Sequence, residues 1–136
     1  MDNEILRKAR KNDNLKVVLV GATNDRKKFG NIIFRNLKDK DVEVFPINPK
    51  ASTIEGHPVY HKLSEIESYD IINIVIPPKY AFIFIKEAVE NGHDNFWLQP
   101  GAESPEILEF LTANGKKFVY QECIMVEVPG GQYAQK

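Results

Sequence analysis

Five apolar runs, each about the length of a strand, divide this chain: KVVLV (16–20), VEVFPIN (42–48), DIINIVIP (70–77), NFWLQP (95–100) and KKFVYQ (116–121). Their apolar residues are nearly continuous rather than alternating. Strands of that kind are buried on both faces, which requires a parallel sheet with helices above and below. Helical patterns fill most of the intervals. Ile33, Phe34 and Leu37 share a face over residues 30–38. Ala81, Ile85, Ala88 and Val89 share one over 79–92, ended by Asn91-Gly92. A third helix over 104–115 has Ser104 as N-cap, Pro105 in its first turn and Gly115 as its stop. Between the second and third runs only a short helix is expected, near 64–69. The pattern predicts a Rossmann-like α/β fold: a doubly wound parallel five-stranded sheet in three layers, with strand order 3-2-1-4-5 counted along the chain.

The 136 residues suit one domain with one core, spanning about residues 14–128. A polar lead is expected before it and a loosely ordered tail, VPGGQYAQK, after it. No apolar run approaches the ~20 residues that cross a bilayer. The start, MDNEILRKARKNDN, is too polar for a secretory signal. The expectation is a cytoplasmic protein with no membrane role. Cys123 is the sole cysteine, so neither an internal disulfide nor a cysteine zinc cluster is available. The histidines, His57, His61 and His93, lack carboxylates at ligand spacing and read as surface or packing residues. No metal site is expected.

The net charge of −1 conceals an asymmetry. Residues 1–40 hold 11 Lys and Arg against 5 Asp and Glu, while residues 41–136 hold 7 against 14. The basic part coincides with VVLVGATNDRKKFGNII (17–33), where an apolar strand runs into Gly21 and a polar loop leads to Gly30 and a helix. An anionic small ligand fits this charge better than nucleic acid does, because the basic segment has no interleaved aromatics. In a sheet of this type ligands bind beyond the carboxyl ends of the strands. That brings together GATNDRKKFGN after the first strand, INPK after the second, IPPKY after the third, LQPGAES after the fourth and QECIM after the fifth. Gly21 allows a tight turn and close approach. Ala22, Thr23 and Asn24 offer backbone N–H groups, and Gly30 and Asn31 open a helix whose N-terminus favours an anion. Arg26, Lys27 and Lys28 are available to neutralise phosphate. The bland alternative is a connecting turn with its cations in water.

The turn is not the G-x-G-x-x-G of a dinucleotide site, and no Walker loop occurs. The second strand ends in Ile47, Asn48, Pro49 and Lys50, where an NAD site wants an acid for the ribose hydroxyls. A lysine there suits a ribose carrying an extra phosphate, which NADP and coenzyme A both have.

GATNDRKKFGNII, VFPINPK with IEGHPVY, IVIPPKY, EAVENGHDNFWLQPGAES and ECIMVE, in this order, resemble the small single-domain CoA-binding protein family, which is similar to the N-terminal domain of the succinyl-CoA synthetase alpha subunit. The resemblance covers roughly residues 14–128. It implies a Rossmann-like coenzyme A site in which Gly21, Ala22, Thr23 and Asn24 wrap the pyrophosphate. Asn48 and Lys50 would meet the adenosine and its 3′-phosphate, Ile76 and Pro77 would line the cleft, and Gln99 and Pro100 would face the pantetheine. Cys123 would match a cysteine of the related ligase domain near the same cleft. A ligase of that kind also needs a phosphorylatable histidine on another domain and a nucleotide-binding partner, so the likeness transfers binding and not catalysis.

Cys123 could instead be a nucleophile or form a mixed disulfide with CoA, although a buried structural thiol accounts for it too. Trp97 and the YAFIFI aromatics read as core or as a homodimer interface. Glu103, Glu106 and Glu109 read as a solvated helix face. The expected function is binding of CoA or an acyl-CoA. The alternatives are an NADP-binding protein or redox sensor, and the CoA-binding subunit of a multi-chain acyl-CoA ligase.

Overall fold

β1 (Lys16–Val20) lies inside a five-stranded parallel sheet, with β2 (Glu43–Ile47) on one side and β5 (Ile71–Ile74), β6 (Phe96–Leu98) and β7 (Phe118–Tyr120) following on the other. The computed structural model describes residues 3–131. The last residues of the expected loose tail lie outside them. Val17 pairs with Val44 and Ile71, and Phe96 pairs with Ile72 and Phe118. One face of the sheet, with Val17, Leu19, Ile71, Trp97 and Val119, packs under α1 (Glu4–Lys11), α2 (Phe29–Asp39) and α5 (Ile124–Glu127). The other, with Val18, Val20, Ile72, Ile74, Phe96 and Leu98, packs under α3 (Pro78–Glu90) and α4 (Pro105–Ala113). The three layers and the parallel Rossmann-like sheet are as expected.

The strand order is not. Counted over the five sheet strands it is 2-1-3-4-5, so the third strand pairs with the first and does not lie outside the second. Pro46 supplies the reason. Its carbonyl faces outward and accepts from the Tyr60 N–H at 2.9 Å, so its missing N–H lies on that outer side as well. A strand with such a proline belongs at an edge. Ile71–Ile74, buried at all four positions, is the strand that takes an inner place.

The N-terminal lead is also a packed element. Asn3 caps α1, its Oδ1 accepting from the N–H of Ile5 at 2.8 Å, and its Nδ2 donates to the Phe118 carbonyl on β7. Glu4 stands in the first turn and Lys8, Arg10 and Lys11 in the last, in accord with the helix dipole. Ile5, Leu6 and Ala9 form a narrow buried stripe that polar composition concealed. The start of the tail is held too, Val128 being buried and the Pro129 carbonyl accepting from Asn12. Between β2 and β5 stand a hairpin of β3 (Thr53–Ile54) and β4 (His57–Pro58) and a single 3-10 turn over Leu63–Glu65, where a short helix near 64–69 was expected. Among the described residues no helix is long and apolar enough to cross a membrane.

At the amino ends of the strands, the Tyr69 hydroxyl and His93 Nδ1 lie 2.7 Å apart. Burial pushes the His93 imidazole below its ordinary value of 6.5, and Lys116 acts in the same direction. Its folded-state pKa is thus below the unfolded one. The associated stability is present above the unfolded value and is lost as pH falls below it. The melting temperature is expected to fall between pH 7 and pH 5, and to fall less in His93→Gln; equal falls would place the titration elsewhere. For α1, Leu6→Ala is expected to cost about 3 kcal/mol and to lower the melting temperature by roughly 10 °C. A loosely attached lead would leave calorimetric melting unchanged.

Candidate functional site

Val20 ends β1 and the chain turns at Gly21, with φ +103°. A side chain cannot be fitted there. A Cβ on Gly21 would stand 2.5 Å from the Val75 carbonyl oxygen and 2.8 Å from Ile76 Cγ2. On the other side, a Cβ on Gly30 would meet the Gly21 carbonyl oxygen itself. The ends of β1 and β5 and the start of α2 therefore touch through backbone alone. This meeting lies where the chain, having gone from β1 to β2, crosses back to β5, which is the switch point of the sheet.

A cleft of about 890 Å³ opens there, within the range of small-molecule sites. Gly21, Ala22, Thr23, Lys28, Phe29 and Gly30 form one side of it. Val75, Ile76, Pro77 and Pro78 follow from the end of β5, and Gln99, Pro100, Gly101 and Ala102 from the end of β6. Asn48 stands at the β2 end and Cys123 at the β7 end. Those ends are four strand spacings apart, about 19 Å, so the cleft suits an elongated ligand. The backbone N–H groups of Ala22, Thr23, Asn24, Phe29 and Gly30 have no acceptor among the described residues. Unpaired donors beside a helix N-terminus suit a phosphate.

Four of the expected residues do not line the cleft, and their surroundings explain why. Asn31 is fully buried, with Nδ2 donating to the Thr23 carbonyl at 2.9 Å and to Glu55 Oε2 at 3.0 Å, and Oδ1 accepting from Arg35. Asn24 clasps hairpin β3–β4, donating to the Thr53 carbonyl and accepting from the Glu55 N–H. Ile47 is buried in the core, bridged to Tyr60. Lys50 is exposed, and its N–H donates to Asn48 Oδ1 at 2.8 Å. Asn48 in turn donates to the Ala22 carbonyl at 2.9 Å, so its amide ties the end of β2 to the glycine turn. Of the three consecutive cations only Lys28 lines the cleft. Arg26 faces Glu55 at 3.9 Å.

At the far end, Gln99 Nε2 donates to Cys123 Sγ at 3.0 Å, and Gln99 Oε1 accepts from the Ile124 N–H at 3.2 Å. Behind it lies Asn73, fully buried in the central strand, with Nδ2 3.4 Å from Gln99 Oε1 and Oδ1 without a partner among the described residues. Asn73, which is not among the expected site residues, is the one polar residue within the apolar run IINIVI. Phe29 and Val75, which are not among the expected site residues, also line the cleft, and Phe29 is 63% exposed at its rim. The histidines lie elsewhere: His57 packs its ring on Phe34, the His61 N–H donates to Glu65, and His93 pairs with Tyr69. Among the described residues no group of His, Cys, Asp and Glu is placed to hold a metal ion.

A doubly wound sheet with a glycine turn, unpaired N–H groups and an apolar cleft at its switch point defines a Rossmann-like domain of nucleotide-cofactor type. The particular kind is given by comparison: the chain belongs to the CoA-binding domain family, whose pattern matches residues 15–129. It is 33% identical over 120 residues to the alpha subunit of an ADP-forming acetate–CoA ligase II from Pyrococcus furiosus, covering 79% of this chain. It spans 26% of that subunit, about a quarter. Protein YneT of Bacillus subtilis, itself uncharacterised, is 23% identical over 124 residues, covering 90% of this chain and 88% of YneT. The solved structure of a conserved hypothetical protein from Pyrococcus furiosus superposes with a TM-score of 0.81 at 44% identity, covering 84% of this chain and 99% of that one.

The backbone meeting at the glycine turn is directly testable. Gly30→Ala forces the start of α2 away from the Gly21 carbonyl and is expected to cost about 3 kcal/mol in denaturant unfolding. A cost below about 0.5 kcal/mol, the range of a surface change, would mean that the helix start yields freely.

Proposed function

We propose that the chain binds coenzyme A, or an acyl thioester of it, extended along the cleft from the β2 end to the β7 end, as a single binding domain with no chemistry of its own. The observation that carries this reading is the combination of unpaired N–H groups at Ala22, Thr23 and Gly30 with a long, largely apolar cleft leading away from them. Membership of the CoA-binding domain family supports it. In this reading the pyrophosphate rests on those N–H groups, with Lys28 beside it. The adenosine lies toward Asn48, and the exposed Lys50 reaches its 3′-phosphate. The pantetheine packs on Ile76, Pro77 and Pro100, and the thiol end meets Gln99 and Cys123. Cys123 Sγ takes its hydrogen bond from an amide rather than from a base, which favours a binding role over a nucleophilic one.

A second reading is favoured by the 33% identity to a ligase alpha subunit. In it the chain presents CoA to separate nucleotide-binding and phosphorylated components of an acyl-CoA ligase. Capture of a nucleotide-binding partner, with ligase activity restored on mixing, would support it.

Thermal unfolding with CoA, dephospho-CoA, NADP and NAD tests the first reading. A ligand at ~100 times its dissociation constant adds roughly 2.7 kcal/mol. Stabilisation by CoA beyond dephospho-CoA is expected, and stabilisation by NADP alone would overturn the proposal. Lys50→Ala is expected to weaken CoA by about tenfold while leaving dephospho-CoA nearly unchanged, as loss of a charge-assisted contact would. Equal losses for the two ligands in calorimetric titration would remove Lys50 from the 3′-phosphate.

A further inference from the structure

The turn of hairpin β3–β4 carries a residue that its backbone does not favour. Thr53 pairs with Pro58 and Ile54 with His57, leaving Glu55 and Gly56 as the two turn residues. Their φ angles are +49° and +79°. A turn of this kind takes Asn, Asp or Gly at its first position, and a glutamate there is strained. Strain of that sort persists where the residue has another task.

The side chain of Glu55 shows the task. Its Oε2 accepts from Asn31 Nδ2 at 3.0 Å, and the same Nδ2 holds the Thr23 carbonyl at 2.9 Å. The Glu55 N–H donates to Asn24 Oδ1 at 3.0 Å, while Asn24 Nδ2 reaches back to the Thr53 carbonyl at 2.8 Å. Two residues of the glycine turn are thus gripped from outside the cleft, one by its carbonyl and one by its amide. Arg26 is drawn toward the same carboxylate, and its carbonyl accepts from Arg35. The hairpin itself is anchored, with Ile54 fully buried and His57 edge-on to Phe34 at 5.4 Å.

We propose that Glu55 is a positioning residue for the phosphate loop: its carboxylate holds Asn31 and its N–H holds the Asn24 side chain, which fixes Thr23 with its carbonyl occupied and leaves the N–H groups of the turn to the ligand. Its role in binding rests on the cleft being a coenzyme A site. The side chain must be long enough to reach Asn31. A shorter one would release Asn31 from the hairpin and leave the loop held by the bonds of Asn24, Asn31 and Asn48 that do not involve the carboxylate.

Glu55→Asn and Glu55→Gln separate this role from a merely structural one. Asparagine suits a left-handed turn, so Glu55→Asn should melt at or above the wild-type temperature. It is too short to reach Asn31, so calorimetric titration should show CoA affinity down by about tenfold, the worth of one lost hydrogen bond to a charged group. Backbone NMR relaxation should show residues 22–26 more mobile on the picosecond–nanosecond scale. Glu55→Gln, which keeps the reach, should recover most of the affinity lost in Glu55→Asn. The proposal is overturned if Glu55→Asn binds CoA like the wild type with an equally ordered loop, if its affinity loss merely follows a lowered melting temperature, or if Glu55→Gln loses as much. If the wild type itself does not bind CoA, the coenzyme A reading fails separately, and loop relaxation alone decides the clasp: a loosened loop in Glu55→Asn supports it and an unchanged one overturns it.

Discussion

The close backbone meeting of Gly21, Gly30 and Val75 is the constraint on which the rest of this molecule depends. At Gly21 no Cβ fits against the Val75 carbonyl, and at Gly30 none fits against the Gly21 carbonyl. Two strand ends and one helix start can therefore be joined only through bare backbone. The joint puts α2 directly over the turn, so the free donors of the first helical turn and those of the turn itself serve the same region. It also sets β5 beside β1, which creates the crevice at the switch point. The cleft is a consequence of these contacts rather than an addition to them.

Around that joint the polar side chains act mostly as internal ties. Amides suit the purpose because each carries both donors and an acceptor and needs no counter-charge when buried. Asn48 holds the Ala22 carbonyl and Asn31 the Thr23 carbonyl. Gln99 holds Cys123 and the first N–H of α5. With carbonyls tied back, the N–H groups of the turn are what remains for a ligand. Of the run Arg26-Lys27-Lys28, only Lys28 contributes to the cleft wall.

Residue by residue, legibility in the sequence followed the range of the interaction. The strand in KVVLV, the helix capped by Ser104 and Pro105, and the turn at Gly21 are governed by neighbours a few positions away, and the structure has them where the sequence places them. The edge position of the second strand was also available, since Pro46 lacks the N–H that an inner strand needs, but the expected order overlooked it. The N-terminal helix was hidden for a different reason. Ile5, Leu6 and Ala9 are enough to bury a stripe, but their surroundings are so polar that composition outweighed spacing.

What the sequence determined by itself is the local framework: apolar runs that must be buried on both faces, glycines where the backbone must turn or touch, and the carboxyl-end loops that the topology gathers. What only the tertiary structure decided is the direction of each polar side chain. Asn24, Asn31 and Asn48 look alike in sequence, yet one clasps a hairpin, one is buried behind the turn and one faces the cleft. The groups that accept from their side-chain N–H donors lie between 8 and 29 positions away. A hydrogen bond depends on distance and angle in space, and no local pattern encodes those until the sheet has brought its strand ends together.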